Sequence, residues 1–117
     1  MSTHRDARET PGLRRLRERI DALDRKIVGL LNERLELGRE VGRTKATAGR
    51  RAIRDRDRER EVLLRVSMAN EGPLPQADLL AIYRRLVGAT RRLEAADRQR
   101  GRADRQRERA DPNDDQA

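Results

Sequence analysis

This 117-residue chain contains no cysteine, no phenylalanine and no tryptophan. The missing thiol rules out disulfides, thiolate nucleophiles and cysteine metal sites. Tyr83 is the sole aromatic residue, lysine occurs only at Lys26 and Lys45, and histidine only at His4. Hydrophobic residues make up 34 % of the chain, a thin supply for a self-sufficient core. A small helical domain this poor in large side chains gains from oligomerisation, so a dimer is expected. No apolar run approaches the length of a membrane span, and the first ten residues lack the apolar stretch of a signal peptide. The cytoplasm is the default expectation.

Charge takes the place of what is missing. Charged residues are 43 % of the chain, the net charge is +8 and the isoelectric point is 11.3. That balance suits an anionic partner, whether a small molecule, a nucleic acid or an acidic protein.

The hydropathy pattern is helical. Aliphatic residues cluster between residues 13 and 93, which predicts a domain over 13–97. A disordered arm is expected over 1–12 and a disordered charged tail over 98–117. A long first helix is expected from about Leu13 to Ala46, ending at Ala48-Gly49-Arg50-Arg51. The loop 48–52 reaches Ile53, and Asp55 or a neighbour is placed to cap the next helix. That second helix spans about Arg56 to Ala69. Asn70-Glu71-Gly72-Pro73-Leu74-Pro75 is a strong stop, and a third helix follows to roughly Ala96. Gly38 and Gly42 permit close approach of another helix or a ligand. The first helix is too long to be covered by the two later ones, so two chains are expected to pair along it.

The first helix carries a 3-4 stripe of Leu16, Ile20, Leu23, Ile27, Leu30, Arg34, Leu37 and Val41. One arginine interrupts it, and Lys45 follows four residues on. Burying an unpaired cation is costly, so cations on this face point to an anion held between helices. The other inward polar positions are Arg17, Asp55, Arg58, Glu59, Thr90 and Glu94. Each also has an ordinary reading, as a solvated flank, a snorkelling side chain or a core threonine.

Leu13 to Asp24, Leu30-Leu31-Asn32-Glu33-Arg34, Val41-Gly42-Arg43-Thr44-Lys45, Ile53 to Glu59, Gly72-Pro73-Leu74 and Ile82-Tyr83 through Glu94 together resemble the all-helical (AroQ-type) chorismate mutases. The resemblance implies an all-α fold, with three helices per chain in an intertwined homodimer. It also implies rearrangement of chorismate to prephenate with no cofactor and no metal. Arg34 and Arg58 would clamp the substrate carboxylates, and Arg17 would come from the partner chain. Lys45 would donate to the ether oxygen, while Asp55 and Glu59 would hold the hydroxyl end. Thr90 would lie near a carboxylate and Glu94 opposite Lys45. An ionised Glu94 would repel the ether oxygen, so it must be protonated to donate, and activity is expected to fall as pH rises.

Relatives of the same fold lyse isochorismate to salicylate and pyruvate or rearrange 4-amino-4-deoxychorismate, and the arginine clamp suits all three substrates. Asp55 with Glu59 favours chorismate. Small members sometimes depend on an activating enzyme of the shikimate pathway. A basic helical dimer that binds nucleic acid is the reading of another class. It rests on the six arginines of residues 50–60, but that run also holds Asp55, Asp57 and Glu59 and no stacking aromatic. No nucleic acid and no membrane partner are therefore expected.

Overall fold

Thr10 opens the first helix. Its Oγ1 accepts from the Leu13 amide at 3.1 Å and its carbonyl from the Arg14 amide at 3.0 Å. Pro11 then occupies the first helical position, where a missing N–H costs nothing. This computed structural model describes residues 8–49 and 55–110. Over those residues the chain is all-α, with helices α1 (Pro11–Thr47), α2 (Arg56–Ala69) and α3 (Gln76–Ala110) and no strand. No helix among them is long and apolar enough to cross a membrane.

The chain divides into two units, Met1–Arg34 and Leu35–Ala117. The first consists of the N-terminal part of α1. Leu16, Ile20, Leu23, Ile27 and Leu30 are each more than half exposed there. The second holds the end of α1 with α2 and α3. Among the described residues Leu86 is its buried hydrophobic side chain, with Val62, Leu63, Val66, Tyr83, Val87 and Leu93 half-buried.

Helix ends follow local chemistry. Gly49, at φ +72°, ends α1 in the left-handed conformation that favours glycine. Asp55 caps α2 as expected, its carboxylate accepting from the Arg58 amide at 2.9 Å. After α2 the Asn70 side chain organises the turn. Its Oδ1 accepts from the Gly72 amide at 3.0 Å, and its Nδ2 donates to the Leu74 carbonyl at 2.9 Å and to Gln76 Oε1 at 2.7 Å. Gly72 has φ +80°, and the Gly72–Pro73 peptide is cis.

Two boundaries differ from the sequence reading. Helix α1 begins at Pro11 rather than Leu13, because Thr10 and Pro11 form a better start than the Pro-Gly pair suggested. Helix α3 continues past Ala96 to Ala110, so the stretch expected to be disordered from Arg98 is helical that far. High charge alone does not make this stretch disordered, because arginine, glutamine and alanine are strong helix formers. The Asp97–Arg100 ion pair adds local support. The arm over residues 1–7 (with His4), the loop residues 50–54 and the tail over 111–117 lie outside the described residues.

Candidate functional site

Two glycines set the geometry of the second unit. A Cβ on Gly38 would overlap Thr90 Cγ2 outright, and one on Gly42 would come within 3.1 Å of Glu94 Cγ. The end of α1 therefore lies close against α3, with Thr90 and Glu94 facing the two glycines. This is the close approach the Gly38–Gly42 spacing anticipated. Lys45 is half-buried and follows Gly42 by three residues, in the last turn of α1. Thr90 Oγ1 donates to the Leu86 carbonyl at 2.9 Å, which keeps the hydroxyl on its own helix.

On α2, Glu59 is half-buried and its Oε1 accepts from Arg91 Nη1 on α3 at 2.7 Å. Asp55 and Arg58 are exposed. Asp55 serves as the cap, while the Arg58 guanidinium lies 3.3 Å from Glu61. Arg17 and Arg34 belong to the first unit. Arg17 is exposed and lies 3.2 Å from Glu9, whereas Arg34 is half-buried. The single chain thus brings Thr90 and Glu94 to the α1 face that bears Lys45. It holds Glu59 on Arg91 and leaves Asp55, Arg58 and Arg17 at the surface.

Sequence reasoning missed the pair that joins the end of α1 to α3. Arg39 donates Nε and Nη2 to the two oxygens of Asp97, each at 2.9 Å, and Nη1 to Glu36 at 2.8 Å. Such a two-pronged contact is among the stronger ion-pair geometries. Hydrogen bonds from Arg39 and then Arg100 hold the Asp97 carboxyl down at about 2. Arg91 was also missed as the partner of Glu59. A helical pattern tells which face a residue is on but not which of many opposite charges it meets, so neither pairing left a signal.

All eight candidate residues, from Arg17 to Glu94, fall within residues 16–95, which match the family described as chorismate mutase type II. The chain belongs to this family. Relatives of this type II chorismate mutase domain include two proteins named bifunctional chorismate mutase/prephenate dehydratase. The one from Aquifex aeolicus (strain VF5) is 37% identical over 81 residues, covering 66% of this chain and 22% of that protein. The one from Escherichia coli (strain K12) is 53% identical over 51 residues, covering 44% of this chain and 13% of that protein. The chain thus spans less than a quarter of the length of these curated relatives. The solved structure of chorismate mutase (form II) from Thermus thermophilus superposes with a TM-score of 0.65 at 31% sequence identity, covering 71% of this chain and 93% of that one.

Proposed function

We propose that the chain rearranges chorismate to prephenate as a homodimer. The observation that carries this reading is the Gly38–Gly42 contact, which sets Thr90 and Glu94 against the face of α1 that bears Lys45. Family membership supplies the reaction, and the cation-interrupted stripe supplies the means of holding a dianion. The chemistry needs no nucleophile. The site selects the compact substrate conformer, a positioning effect. Lys45 donates to the ether oxygen, where negative charge grows as the C–O bond breaks, so the interaction is stronger in the transition state than in the ground state. Arg34 and Arg58 bind the carboxylates with planar forks, and Arg17 enters from the partner chain. Glu94 approaches the ether oxygen from the side opposite Lys45.

The hydroxyl end rests on Asp55 and Glu59. In the single chain Glu59 is held by Arg91 and Asp55 caps α2, so the preference for chorismate over isochorismate or the 4-amino analogue is to be read from turnover. Purified protein is expected to convert chorismate to prephenate, identified by chromatography. Lys45→Ala is expected to lower kcat by about 10²–10³-fold, the usual cost of losing a donor at a developing anion. Salicylate and pyruvate as products would assign the lyase reaction instead. Weak turnover that rises when an enzyme of the shikimate pathway is added would identify an activating partner.

A further inference from the structure

Between the last turns of α1 and the C-terminal half of α3 runs an open groove of about 660 Å³. Its lining includes Arg43 from α1 and Arg98, Arg102 and Arg105 from α3. The three α3 arginines are spaced i, i+4, i+7, on one helix face and spread over about 10 Å. Among the described residues, none of these four arginines forms an ion pair. Of the groove's two carboxylates, Asp97 is taken by Arg39 and Arg100, which leaves Glu94 as one negative charge against four positive ones. Four arginines against one carboxylate leave the groove with an excess of positive charge that a bound anion would offset.

We propose that this groove binds a small molecule carrying two or more phosphate groups. A volume of this size is typical of small-ligand clefts. The lining includes the small residues Gly42, Ala46 and Gly101, with Glu94 against Gly42 and the Arg105 guanidinium against Gly101. Four planar forks need several oxygens at once, which closely spaced phosphates supply and a single carboxylate does not. The lining has no aromatic side chain to stack on a base, so recognition falls on the phosphates. Arg98, Arg102 and Arg105 lie beyond residue 95, where the family match ends. The three α3 arginines therefore belong to the helical extension of this chain, while Arg43 and Glu94 lie within the matched residues, and through Glu94 the groove adjoins the site of the proposed rearrangement.

Calorimetric titration of the full chain with tripolyphosphate, at fixed ionic strength, tests this. The double variant Arg98→Ala/Arg102→Ala is expected to weaken binding about 100-fold, roughly tenfold for each charged hydrogen-bonding partner lost. Arg43→Ala, on the other helix, is expected to weaken it about tenfold on the same basis. Arg107→Ala/Arg109→Ala removes the same charge from α3 outside the groove and is expected to leave the affinity within about twofold. Equal losses in the two double variants would reduce the effect to diffuse charge and overturn the site. Loss of binding in Arg34→Ala would move the phosphates to the first unit and overturn it as well. Citrate binding as tightly as tripolyphosphate would overturn the phosphate assignment, and tighter binding of an oligothymidylate would overturn the small-ligand one.

Discussion

At the scale of single residues, Gly38 and Asp97 have opposite relations to the sequence. Gly38 was legible: two glycines four apart in a helix that otherwise favours long side chains mark a close approach. The partner was not, because nothing local names Thr90. Alanine in place of glycine gains about 1 kcal/mol of helix propensity. At position 38 it must also displace Thr90 Cγ2, and overpacking of this kind costs about 1–3 kcal/mol. Gly38→Ala is therefore expected to lower stability in urea unfolding. With Thr90→Ser, which removes the clashing methyl, the same substitution should become neutral or stabilising. A double-mutant cycle with no coupling between the two positions would contradict the contact.

Asp97 left no trace in the sequence reading, since its partner Arg39 is 58 residues away. Its effect on stability follows from its ionisation. Bonds from Arg39 and Arg100 lower its carboxyl from 3.8 to about 2 in the folded chain. A depressed folded value means stability that is present above the unfolded value and lost as pH falls through the folded one. Asp97 is thus expected to contribute above pH 4 and to lose that contribution between about pH 4 and pH 2. Asp97→Asn should flatten the fall in stability over that window. A curve that is unchanged in shape would mean that the pair does not persist in solution.

At the scale of elements, boundaries depended on which kind of signal set them. Helix α2 was placed correctly because Asp55 is a cap residue just ahead of it and the Asn70–Pro75 segment is a dense stop just behind it. The end of α3 is not legible in the same way, because charged composition is not a stop signal and no proline follows Pro75 before Pro112. The candidate site adds a second demand at Asp55, which is both a helix cap and a proposed substrate contact. These roles separate by substitution. Asp55→Ala is expected to lose about 1 kcal/mol of stability with the cap. Asp55→Ser keeps a capping oxygen and should retain most of that stability. If Asp55 also holds the substrate hydroxyl, Asp55→Ser raises KM while its unfolding curve stays near that of the parent. A wild-type KM in that variant would confine Asp55 to the cap.

At the scale of the molecule, the stripe of α1 is the feature the single chain leaves unsatisfied. Leu16, Ile20, Leu23, Ile27, Leu30, Leu37 and Val41 remain between 51 and 64% exposed, an apolar row interrupted by Arg34 and larger than monomeric proteins usually show to water. A second copy of α1 is the covering surface proposed above, and it would bring Arg17 of one chain to the site of the other. That exchange has a sharp consequence. Arg17→Ala and Arg34→Ala homodimers each lack one arginine at both sites and should be nearly inactive. Unfolded together and refolded, the two variants form heterodimers in which one site combines an intact Arg34 with the partner's intact Arg17, while the other site lacks both. With random pairing half the dimers are mixed and half of their sites are whole, so activity should return to about a quarter of the parent level. Were Arg17 to serve the site of its own chain, every site in the mixture would still lack one arginine and no activity would return.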